Sequence, residues 1–125
     1  MANYRLSKVG RASAVLTTGE VAGAALDLDL CKDKQVTVDL SFTIGMLTNI
    51  TARFYGSMDG TTYDLLAELS VPGTSTVVLT ASTERMYIMP QVPGVKWFRV
   101  SVQGSGTVTN SLCDFTYRYD RRGSR

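Results

Sequence analysis

The chain has 125 residues, 44% of them hydrophobic and 19% charged, with a formal net charge of +2. That length suits a single domain and is enough for one apolar core without disulfide or metal staples. With no histidine and only two cysteines, Ser-His and Cys-His dyads, imidazole metal ligands and a four-thiolate zinc site within one chain are excluded.

Met1 to Lys8 lacks the uninterrupted apolar stretch of a secretory signal, which predicts a start in the reducing cytosol. Residues 1–10, with Tyr4, Arg5 and Leu6, are expected to form an N-terminal arm ahead of one domain over 11–120, with 121–125 as a basic tail. Ser13 to Thr17 reads as a short strand. Further on, Ala24, Leu26, Leu28 and Leu30 alternate with Asp27 and Asp29, a spacing by two that fits a strand better than a helix.

Residues 35–44 carry the strongest signal. Val36, Val38, Leu40, Phe42 and Ile44 alternate without exception with Gln35, Thr37, Asp39, Ser41 and Thr43, which predicts a strand with one buried face. Residues 49–58 repeat the pattern, with Ile50, Ala52, Phe54 and Met58 expected inward. Asp59-Gly60 then marks a turn, and Tyr63, Leu65, Ala67 and Leu69 resume the phase to complete a hairpin.

Strands are expected next at Thr76–Thr80, Arg85–Met89, Lys96–Gln103 and Thr107–Tyr119. Phe98, Val100 and Val102 face inward in the third, and Cys113, Phe115, Tyr117 and Tyr119 in the fourth. The intervening Val71 to Thr74, Pro90 to Gly94 and Gly104-Ser105-Gly106 are rich in residues that set turn dihedrals. Eight to ten short strands at this spacing predict an all-β chain: one antiparallel β-sandwich, jelly-roll-like, with short terminal arms. A closed barrel is the alternative. Apolar runs such as Val77-Val78-Leu79 are far short of the ~20 residues of a membrane-spanning helix, and no membrane partner is expected.

Little in the chain points to chemistry. Asp27, Asp29 and Asp33 could offer carboxylate oxygens to calcium, but they equally suit the outside of a strand followed by a turn, and Lys32 and Lys34 weaken the negative potential there. No catalytic residue, cofactor or metal is expected. Cys31 and Cys113 both read as small buried thiols. Tyr55, Tyr63, Tyr87 and Trp97 could form an aromatic platform for sugar rings. With no polar groups arranged around them, they suit a protein interface better.

Charge is unevenly placed. Residues 118–125 carry four arginines against one aspartate, leaving nine bases against ten acids in the rest of the chain. Arginines gathered at one end do not make the basic stripe of a nucleic-acid-binding face, so no specific nucleic-acid partner is expected. Arg118, Arg121 and Arg122, with Tyr4, Arg5 and Leu6 at the other end, are read as docking elements, because a guanidinium can hold a carboxylate through two parallel hydrogen bonds.

The runs QVTVDLSFTIGMLTNITARFYGSMDGTTYDLLAE at 35–68 and VKWFRVSVQGSGTVT at 95–109 resemble small β-sandwich structural proteins of tailed bacteriophage particles. The resemblance lies in a strand ending in a Gly-x-Leu-Thr step, then Ser-x-Asp-Gly-Thr-x-Tyr, and later a Phe-Arg-Val-x-Val strand. It implies a non-enzymatic virion component, assembled in the host cytoplasm. Capsid decoration or cement proteins are the leading type, with the major capsid protein as partner and further copies of the chain on the particle. A neck or tail ring component and a carbohydrate-binding module at the virion surface are the alternatives.

Overall fold

The alternating segments become the long strands of a computed structural model that describes residues 5–65, 76–80, 83–88 and 95–121. Ten strands are present among the described residues: β1 (Arg5–Ala14), β2 (Val21–Ala22), β3 (Leu26–Asp27), β4 (Thr37–Thr43), β5 (Leu47–Ser57), β6 (Asp64–Leu65), β7 (Thr76–Leu79), β8 (Thr83–Ile88), β9 (Trp97–Gly106) and β10 (Leu112–Asp120). They divide between two antiparallel sheets. One has four strands in the order β1-β10-β4-β8; the other has six, with β2-β9-β5-β6 along its path, β3 also pairing with β9, and β7 with β5. The result is the predicted β-sandwich.

Alternation explains the core. Val38, Leu40 and Phe42 of β4 and Cys113, Phe115 and Tyr117 of β10 meet Ile50, Ala52 and Phe54 of β5 and Phe98, Val100 and Val102 of β9, all buried. Their rings form a chain, with centroids 6.2 Å apart for Phe54 and Phe98, 5.5 Å for Phe98 and Tyr117, and 5.8 Å for Phe115 and Tyr117. The Tyr117 hydroxyl fills a gap in the opposite sheet. Between β2 and β3 the edge of β9 has no paired strand, and there the hydroxyl accepts from Val100 N (3.1 Å) and donates to Ala24 O (2.7 Å). A buried amide left without a partner would cost free energy.

The Gly45-Met46-Leu47-Thr48 step is the corner where the chain leaves one sheet for the other. Gly45 has φ +57°, and a Cβ there would lie 2.6 Å from the Asn110 carbonyl, so the corner requires glycine.

The structure departs from the sequence reading in several places. Residues 5–10 are not an arm outside the sandwich: they pair with β10, Arg5 opposite Asp120 and Val9 opposite Thr116. The register shifts between Val9 and Arg11, and Gly10 lies so close to Phe115 that a Cβ would come within 2.5 Å of its ring. β1 packs through a glycine rather than a row of apolar side chains, so its alternation is faint. The strand expected over 24–30 stops at Asp27, whose side chain accepts from Asp29 N and caps a single 3-10 turn, Leu28–Leu30. Leu28 is consequently buried and Leu30 exposed.

Met58 and Leu65, expected inward, are exposed: Met58 lies just past the end of β5, and Leu65 stands opposite Tyr55, out of phase with the buried Phe54. Gly104, Ser105 and Gly106 are not a turn but the end of β9, opposite Ile50, Asn49 and Leu47. The chain reverses later, where Ser111 N donates to Val108 O (3.1 Å), and β10 begins only at Leu112. The expected turns at 71–74 and 90–94, and Ala67 and Leu69, lie outside the described residues.

Candidate functional site

The aromatic residues singled out in the sequence do not form one platform. Tyr55, Tyr63 and Trp97 lie on the six-stranded side of the sandwich, whereas Tyr87 belongs to β8 in the other sheet.

On the six-stranded side, Glu20 reaches over from the β1–β2 connection. Its carboxylate accepts from Arg53 Nη1 (3.2 Å) and Tyr55 Oη (2.6 Å), and also from Ser101 Oγ. The hydrogen bond from Ser101, followed by that from Tyr55, holds the Glu20 carboxyl below its usual range. Arg99 lies 3.9 Å from the Tyr63 ring centre and 5.8 Å from that of Tyr55, and Lys96 lies 5.0 Å from the Trp97 ring centre. The Asp59-Gly60 turn also approaches Trp97, where a Cβ on Gly60 would sit 3.0 Å from the indole nitrogen. Each of these rings has a cation over it, which leaves less open ring surface than a sugar platform needs.

Lys96 also neutralises two of the acids considered for calcium, at 3.7 Å from Asp27 and 3.5 Å from Asp29. No group of three or more metal-ligating side chains converges among the described residues. Cys31 and Cys113 are free and buried, and burial pushes their thiols up to about 11 and about 12.

The four-stranded face holds a feature that sequence reasoning missed. Asp39 alternates with core residues and was expected outside, yet it is buried. Two arginines on the neighbouring strands cover it. Arg85 donates through Nε to Oδ1 (2.9 Å) and through Nη2 to Oδ2 (2.6 Å), and Arg118 donates through Nε (3.0 Å) and Nη2 (2.9 Å) to the same Oδ2. The pairing follows from register: Asp39 stands opposite Thr116 and Tyr87, so Arg118 and Arg85 are its diagonal neighbours. The hydrogen bonds from Arg85, which outweigh the opposing effect of burial, together with those from Arg118, hold the Asp39 carboxyl below its usual range.

Beside this cluster runs a groove of about 280 Å³ lined by Leu6, Ser7, Thr37, Tyr87, Arg118 and Tyr119. Three of the residues proposed from sequence, Leu6, Tyr87 and Arg118, thus come together, while Tyr55 and Trp97 sit on the other side. Arg5 is placed in β1 opposite Asp120, and Arg121 bridges to Cys31. Tyr4 and Arg122 lie outside the described residues.

No protein-family model matches the chain, and no curated protein matches it in sequence. Among solved structures, it is similar to the SPBc2 prophage-derived protein YomS, with a TM-score of 0.64 and 14% identity over 96% of each chain. At that identity, what the two chains share is the fold.

Proposed function

We propose that the chain is a non-enzymatic structural component of a phage particle, a decoration protein that binds across major capsid subunits and stabilises the head. The observation that carries this reading is the likeness in fold, from end to end, to a prophage-derived protein. The strand-and-turn motifs that resemble virion sandwich proteins support it. The role needs no chemistry: a protein that binds the assembled shell and not the separated subunits favours the shell by mass action. The cations over Tyr55, Tyr63 and Trp97 weigh against the alternative of a glycan-binding module.

Counting copies tests the role. Particles of the phage or prophage that encodes the chain, purified and quantified by mass spectrometry against the major capsid protein, should contain it at a fixed ratio of many copies per head, lost from heads made without the gene. A ratio of one small ring per particle assigns it to the neck or tail instead. Absence from purified particles overturns the virion reading.

A further inference from the structure

We propose that the outer face of the four-stranded sheet binds an acidic, extended segment of the neighbouring shell subunit, its carboxylate on Arg85 and Arg118 and an apolar side chain in the adjoining groove. This rests on the capsid reading above and adds the surface and the chemistry of the contact.

The argument begins with hydrogen-bond capacity. Asp39 engages Nε and Nη2 of both arginines, and the Nη1 atoms have no acceptor among the described residues. The charges are layered. The Asp39 side chain is 5% exposed, beneath arginine side chains that are 56% and 49% exposed, so the cations face outward and their anion is shielded. A guanidinium already held in place loses little conformational freedom on binding a second carboxylate, which removes much of the cost that makes surface ion pairs weak.

The groove supplies the rest of an interface. Tyr87 is 62% exposed, with the Arg85 guanidinium 5.6 Å from its ring centre, and Leu6, also exposed, lines the groove with it. Arg118 is the one charged residue of the groove lining among the described residues. Asp114 shares the depression that holds Asp39, Arg85 and Arg118, but it does not line the groove. Tyrosine and arginine beside an apolar recess is the composition of interface hot spots. On the opposite side of the sandwich the comparable groups are already engaged, Arg53 with Glu20 and Gln103, and Arg99 with Tyr63.

Thr37 lines the groove and stands directly opposite Arg118, so a carboxylate introduced there competes for the guanidinium and an ammonium does not. Heads made without the chain are titrated with full-length wild type, Thr37→Glu, Thr37→Lys and Tyr87→Ala, each confirmed folded by circular dichroism, and bound protein is measured by sedimentation at two salt concentrations. The expected result is that Thr37→Glu and Tyr87→Ala weaken binding about tenfold or more. Thr37→Lys should bind at least as tightly as wild type, and added salt should weaken wild-type binding. Wild-type binding with all variants within twofold overturns this surface and leaves the capsid reading standing. Equal loss with Glu and Lys overturns the acidic occupant. Displacement from heads by free duplex DNA makes the occupant a phosphate backbone and overturns it as well. Failure of the wild type to bind heads overturns both readings.

Discussion

The guanidinium of Arg99 lies 3.9 Å from the centre of the Tyr63 ring, joining two sequence motifs that stand 36 positions apart. Tyr63 ends the Ser-x-Asp-Gly-Thr-x-Tyr run, and Arg99 is the arginine of Phe-Arg-Val-x-Val. The turn leading into Tyr63 is fixed locally: Asp59 Oδ1 accepts from Thr61 N (2.8 Å) and Thr62 N (2.9 Å), and Ser57 Oγ accepts from Gly60 N (2.9 Å). That turn delivers Tyr63 to Arg99, whose Nε is shielded from water and has no hydrogen-bond partner among the described residues. Tyr63→Ala should therefore destabilise the fold by ~1–2 kcal/mol, and Tyr63→Phe by much less, since the ring and not the hydroxyl makes the contact. Urea denaturation of the two variants checks this; equal losses would mean that the hydroxyl matters instead.

At Asp39 the expectation is non-additivity. Arg85→Ala and Arg118→Ala each leave the carboxylate one guanidinium and should each lower stability only modestly, since both cations are half exposed and screened by solvent. The double variant strands a buried charge and should cost ~3–5 kcal/mol or more, exceeding the sum of the singles. A double-mutant cycle in denaturant measures the excess, and strict additivity would show that the two arginines act independently.

Acid should act through the same site. The Asp39 and Glu20 carboxyls are held below their usual range in the folded state, so the folded chain binds fewer protons than the unfolded one as pH falls through that range. Their stabilisation is complete above the unfolded values and is lost as pH falls through the folded ones. At the alkaline end the sign reverses. Unfolded thiols ionise near their usual 9.0 while Cys31 and Cys113 stay neutral up to about 11 and about 12, so stability falls across that interval. With no histidine, melting temperature should be nearly flat between about pH 5 and 8. Melts across pH check all three regions, and Asp39→Asn should shrink the acid slope.

The two sides of β4 should respond differently. Phe42→Ala, or Phe98→Ala in the facing sheet, should cost ~3–5 kcal/mol through cavity formation, against under ~1 for Thr37→Ala. Tyr117→Phe keeps the ring but leaves the Val100 amide without its partner, at a cost of ~1–3 kcal/mol. Equilibrium unfolding distinguishes these classes, and equal costs at Phe42 and Thr37 would contradict the packing described.

The sequence was legible where one face of a strand is apolar and the other polar. Val36 to Ile44 and Ile50 to Phe54 fall on the buried side as their alternation requires. It was less legible where packing relies on an absent side chain. Gly10 and Gly23 both press against the Phe115 ring, where a Cβ would come within 2.5 Å, and a glycine gives no hydrophobic signal. Asp39 was misplaced for another reason. A carboxylate on the polar phase reads as solvated, and only register brings two arginines from strands distant in sequence to cover it. Of the interface candidates, Leu6, Tyr87 and Arg118 converge for the same reason, which no spacing in the chain reveals.

Tyr117 and Val100 belong to opposite sheets, so the hydrogen bond between them breaks only if the sheets separate or the tyrosine withdraws. The Val100 amide is thus an internal gauge of the gap between the two layers, distinct from amides that report strand pairing within a layer. Its hydrogen-exchange rate, compared with that of its neighbours on β9, would show whether the sandwich first opens like a book or frays from its edges.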